Sequence, residues 1–140
     1  MKTWVHTVLS LILAALLYKF FNWRVLFILI GGVLVDADHY FWYVFKFNKF
    51  SLPDCYDYFT RVTVKTQWKD IIGSFLIFHT VEFLILSIIL SFYSSYALLF
   101  TIGLIGHYLL DSIWHLNVPK RAVLNFSIIH WIIKNKIQKA

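Results

Sequence analysis

Residues 96–116 read YALLFTIGLIGHYLLDSIWHL, and how this run is taken decides the fold. Its length matches the ~20 residues that an α-helix needs to cross the hydrocarbon core of a bilayer. From residue 96 to residue 117, Asp111 is the only residue with a fixed charge. His107 stands four positions earlier, one turn away on the same helix face. A carboxylate in such surroundings needs a partner, a proton or a metal ion.

The rest of the chain has the same character. It is 140 residues long, 60% hydrophobic and 14% charged, with a mean hydropathy of +0.71. Soluble domains average about 45–50% apolar and about 25% charged residues. The composition therefore predicts a single integral membrane domain, 1–140. Six Trp and eight Tyr suit anchoring at two lipid–water interfaces. The one cysteine, Cys55, excludes an internal disulfide and a Cys-rich zinc site. Lys2 and the apolar run behind it begin like a secretory signal. The run ends in Tyr18-Lys19-Phe20-Phe21, without a small-residue cleavage pattern, so it is expected to stay as a helix.

Four apolar segments, 4–21, 25–45, 71–93 and 96–116, are expected to span the membrane. Segment 46–70 is expected to lie on the membrane surface. Segment 122–133, with only about a dozen apolar residues, is expected to form a short interfacial or re-entrant helix that carries His130. The fold class predicted is thus all-α: four transmembrane helices plus a short C-terminal helix.

Lysine and arginine set the orientation. The side holding the N-terminus, the long loop and the C-terminal segment carries Lys2, Lys46, Lys49, Arg61, Lys65, Lys69, Lys120, Arg121, Lys134, Lys136 and Lys139. The other side carries only Lys19 and Arg24. Eleven against two puts both termini in the cytoplasm and the protein in a plasma (inner) membrane. The net charge of +6 is read as topology, and no nucleic-acid partner is expected.

With ~1.5 Å of rise per residue, this topology fixes the depth of each polar side chain. His6 lies in the first turn of helix one. Asp36, Asp38 and His39 fall in the cytoplasmic half of helix two. His79 and Glu82 fall in the first turns of helix three, and His107, Asp111 and His115 run from mid-depth to the cytoplasmic end of helix four. All four helices thus bring ionisable groups to overlapping depths. Asp36 and His39 share a face, whereas Asp38 falls about 160° around from Asp36 on a regular helix. Either Asp38 points elsewhere, or the backbone after Gly31-Gly32 is irregular.

Each carboxylate at membrane depth costs about 2.5–3.5 kcal/mol on insertion scales, and no Lys or Arg lies within the spans to pair with it. Imidazoles and carboxylates together, without thiolate, form a donor set for Zn²⁺, with Mn²⁺ or Fe²⁺ as alternatives. The expected ligands are His6, Asp36, Asp38, His39, His79, Glu82, His107 and Asp111. Asp38 is a bridging ligand or a general base, and Glu82 a ligand or a base. The same residues would also suit a proton or metal-ion transporter or channel, or interhelical polar contacts that only lock the bundle.

His6, Val35-Asp36-Ala37-Asp38-His39, the His79-bearing third segment and Gly106-His107-Tyr108-Leu109-Leu110-Asp111 together resemble the YdjM-type membrane-bound metal-dependent hydrolases. That family shows an early His, Pro-Asp-x-Asp-His, a His-rich third helix and a final His-x-x-x-Asp. Here Val35 stands in place of the proline. Phe78-His79-Thr80-Val81-Glu82 supplies one His and no Arg, with Glu82 as a substitute ligand. The pattern is more distantly similar to the zinc-dependent phospholipase C and P1-nuclease group. The resemblance implies a zinc-type hydrolase, and the distant similarity implies a phosphoester substrate. Lys120, Arg121 and the basic loop would then hold an anionic phospholipid or a lipid-linked phosphate at the bilayer surface.

Overall fold

The computed structural model describes residues 2–65, 76–115 and 127–137. Every element among them is helical. Helix α1, Thr3–Phe21, ends where Asn22 takes a positive φ of 51° and the chain turns back through a 3₁₀ turn, Asn22–Val25. Asparagine tolerates that left-handed region better than most residues. Helix α2, Leu26–Val33, then packs directly on α1. The Arg24 guanidinium donates to Ser95 Oγ at 3.3 Å and lies over the Tyr96 ring, tying this corner to the start of α7, Ser95–His115.

α2 sits between α1 and α7 because its glycines let backbones touch. A Cβ on Gly31 would run into the Phe100 carbonyl oxygen, and one on Gly103 into the Ile28 carbonyl oxygen. Small residues at such crossings let helix backbones approach closely.

The second apolar segment is not one regular helix. A 3₁₀ turn, Leu34–Asp36, separates α2 from α3, Ala37–Phe47. The backbone after Gly31-Gly32 is therefore irregular, which resolves the placement of Asp38 left open by helical spacing. Segment 46–70, expected as a surface loop, holds α4, Leu52–Asp57, a π-helical turn, Tyr58–Val62, and the short α5, Thr63–Lys65. Ser51 caps α4 by accepting the Asp54 N–H. Cys55 and Tyr58 pack with Tyr43 of α3 and with Leu76, which fixes this wall against the bundle.

The third segment also departs from a continuous span. Leu76 and Thr80 are extended around a 3₁₀ turn, Ile77–His79, and α6, Val81–Ser91, has 11 residues. That is ~16 Å of helix, short of a ~30 Å hydrocarbon core. Helix α8, Ile128–Ile137, overlaps the C-terminal helix expected at 122–133 and runs past its end. Residues 66–75 and 116–126, and with them Lys69, Lys120, Arg121 and parts of the third and fifth segments, lie outside the described residues. Two helical runs, Thr3–Phe47 and Ser95–Trp114, are long and apolar enough to cross a membrane.

Candidate metal centre

Seven of the eight expected site residues converge. His6 comes from α1, Asp36 from the 3₁₀ turn, Asp38 and His39 from α3, His79 from the turn before α6, and His107 and Asp111 from α7. They form three overlapping groups: His6, His107 and Asp111; Asp36, His79 and His107; and Asp38, His39 and His79. Within each group the ligand-type atoms lie within 4.8 Å of one another.

Hydrogen-bond chemistry fixes the tautomer that each of the two central rings takes when neutral, the form that binds a metal. His107 Nδ1 lies 2.9 Å from the Gly32 carbonyl oxygen, an acceptor, so it donates there and leaves a lone pair on Nε2. His79 Nδ1 lies 2.9 Å from Asp38 Oδ2 and donates to it, again leaving a lone pair on Nε2. The two Nε2 atoms face each other at 3.1 Å. Two lone pairs at that distance repel unless a proton or a cation lies between them.

Carboxylate oxygens flank the same pair. Asp36 Oδ1 is 3.6 Å from both Nε2 atoms, and Asp111 Oδ2 is 3.3 Å from that of His107 and 3.7 Å from that of His79. Bonds of ~2.0–2.1 Å in a tetrahedral zinc site put neighbouring donors ~3.3 Å apart. The spacing fits ligands of one divalent ion. The outer partners fit as well, since metal-bound histidines donate their second N–H to a carboxylate or a backbone carbonyl. One lone pair per nitrogen also means that His79 and His107 cannot serve all three groups at once.

Behind this layer, Asp38 is fully engaged. Its Oδ1 faces His39 Nδ1 at 2.9 Å, and its Oδ2 accepts from His79 Nδ1 and from the Phe78 N–H at 3.0 Å. His6 stacks on His107 with centroids 4.0 Å apart, and its Nε2 lies 3.3 Å from Asp111 Oδ1. His6 Nδ1 is buried with no hydrogen-bond partner among the described residues, leaving that nitrogen for a ligand.

Glu82 does not join the cluster. Its carboxylate accepts from Ser127 Oγ at 2.6 Å and from the Ile128 and Ile129 N–H groups, and so sits on the first turn of α8. The extended backbone at Thr80 makes Glu82 start a new helix, and so its three-residue spacing from His79 no longer implies a shared face. His130 is exposed on α8, and the His115 side chain lies outside the described part. Tyr108 was not singled out from the sequence. Its hydroxyl donates to the Phe78 carbonyl oxygen at 2.6 Å and reaches that of Thr80 at 3.1 Å, clamping the turn that carries His79. A hydroxyl beside His107 in an apolar helix was the available signal.

The cluster opens into a cleft of about 190 Å³. Asp36, His39 and Asp111 line it together with Leu52, Tyr56 and Phe59, and the Phe59 ring stands edge-on to that of His39 with centroids 4.7 Å apart. Among the described residues no Lys or Arg lines it; the basic loop reaches the cleft through Leu52, Cys55, Tyr56, Phe59 and Thr60 instead. Burial pushes the Cys55 thiol up to about 11, so without a bound metal it stays a neutral thiol at neutral pH. Comparison with family models, curated proteins and solved structures found no match.

Proposed function

We propose that the chain is a membrane-embedded, metal-dependent hydrolase whose site lies in the cytoplasmic half of a four-span bundle. The observation that carries this reading is the pair of Nε2 atoms 3.1 Å apart, flanked by Asp36 and Asp111 oxygens. The bilayer is supported by an inverted α1, which buries His6, Ser10 and Ala14 and exposes Leu11, Ile12 and Leu16. Lipid as the surrounding medium removes the penalty of that arrangement.

His79, His107, Asp36 and Asp111 would hold the ion, with zinc best matching the donors and Mn²⁺ or Fe²⁺ the alternatives. A divalent ion there would lower the pKa of a coordinated water and polarise a phosphoryl or acyl oxygen. Asp38 orients His79 and His39, and His6 orients Asp111. His39, at the cleft wall, is the side chain placed to exchange a proton with a substrate. The preferred reaction is hydrolysis of a phosphoester, in a lipid or in another anionic substrate.

Elemental analysis of the purified protein tests the reading. We expect about one divalent ion per chain, with content at least tenfold lower in His79→Ala and His107→Ala. Unchanged metal content in both variants refutes the site. A bound ion with Asp111-dependent ion flux in proteoliposomes, and no hydrolysis, would replace the enzyme with a transporter.

A further inference from the structure

We propose that the wall formed by Leu52, Tyr56 and Phe59 seats the apolar chain of a membrane lipid, and that this lipid reaches the metal centre sideways from the bilayer. The inference rests on the proposed metal centre and membrane setting, and on the hydrolase reading in calling that lipid a substrate. The cleft has two unlike kinds of lining: the carboxylates and imidazole of the cluster, and beside them the aliphatic and aromatic carbon of Leu52, Tyr56 and Phe59. A molecule that satisfies both carries oxygen donors at one end and hydrocarbon at the other.

The rim points to where that molecule comes from. Leu52 is 64% exposed and Tyr56 47%; nearby in sequence, Phe50 is 72% exposed. Thr3 lines the cleft, and its neighbour Trp4 is 60% exposed. Large apolar side chains around a polar site would be costly against water. Trp and Tyr are the residues enriched where headgroups meet acyl chains. The rim therefore fits the lipid interface, and the cleft mouth opens into it.

Size agrees. At about 190 Å³ the cleft is smaller than the ~300–1,000 Å³ that enclose a whole small ligand. It accommodates a head and the first carbons of a chain, while the remaining chain stays among its neighbours in the leaflet. A soluble phosphoester would leave the Leu52–Tyr56 wall uncovered and gain nothing from it.

The test compares radiolabelled dodecyl phosphate with ethyl phosphate, bound to the zinc-loaded protein in nanodiscs. Leu52→Gln and Tyr56→Gln change exposed side chains that hold no ligand atom, so zinc content serves as the fold control. Comparing each variant with the parent in identical discs cancels partitioning into the lipid. We expect both variants to weaken dodecyl phosphate binding at least fivefold and to leave ethyl phosphate binding unchanged. Equal losses for the two probes, no loss for either, or no binding of dodecyl phosphate by the parent would overturn the proposal. Turnover of dodecyl p-nitrophenyl phosphate is read separately. Chain-dependent binding without turnover keeps the chain seat and sinks the hydrolase reading.

Discussion

Asp38 shows how a single side chain divides its work. Its two oxygens reach His39, His79 and the Phe78 N–H, so it fixes two rings and one backbone group at once. Replacing it by Asn keeps the shape and removes one acceptor, and the new NH₂ must face a donor. Partners behind metal ligands are typically worth 10–100-fold in affinity. Asp38→Asn is therefore expected to weaken zinc binding 10–100-fold, measured by competition with a chelator, without abolishing it as His79→Ala would. Glu82→Gln is the contrast: it loosens the bond to Ser127 and α8 and leaves zinc affinity unchanged. Sequence spacing put Glu82 on the face of His79 and left the direction of Asp38 open, and only the backbone geometry separates their roles. The Asp38 position depends on a 3₁₀ turn, and the Glu82 position on an extended Thr80, neither of which hydrophobic periodicity encodes.

At the level of elements, the crossing of α2 on α7 joins packing to the site. Gly31 and Gly103 bring the two backbones together, and the next carbonyl, that of Gly32, receives His107 Nδ1. A methyl group on Gly103 would meet backbone atoms of Ile28, which cannot swing away as a side chain can. Overpacking of this kind costs about 1–3 kcal/mol. Gly103→Ala should lower the thermal unfolding midpoint and, by shifting Gly32 against His107, weaken metal binding with it. Gly106→Ala is the control, because its nearest contacts, at 3.4 and 3.5 Å, are methyl ends of Leu9 and Leu13. An equal drop in the two variants would show that the crossing has slack. The long apolar helices α1 and α7 were legible in sequence because they are uninterrupted. The helical wall at 52–65 was not, since its aromatic and charged residues carry no clear period and its burial depends on Tyr43 and Leu76.

Across the whole molecule, the clustered His and Asp side chains lie at one end of the bundle, and the opposite corner is held by Arg24, Ser95 and Tyr96. The lysine and arginine distribution predicts that the cluster faces the cytoplasm and this corner faces outward. Single cysteines report the sides directly, in a Cys55→Ser background. Cys55 itself would react slowly, being buried and a neutral thiol with its pKa pushed up to about 11. Trp23→Cys places a thiol at the exposed 3₁₀ corner, and Lys49→Cys one at the exposed end of α3 beside the cleft wall. A membrane-impermeant maleimide applied to intact bacterial cells is expected to label the first and to reach the second only after permeabilisation. The reverse pattern would turn the cleft outward, and the lipid that it meets would then belong to the outer leaflet. Equal labelling of both positions in intact cells would mean that the chain does not separate two compartments, and the bilayer reading would fall with it.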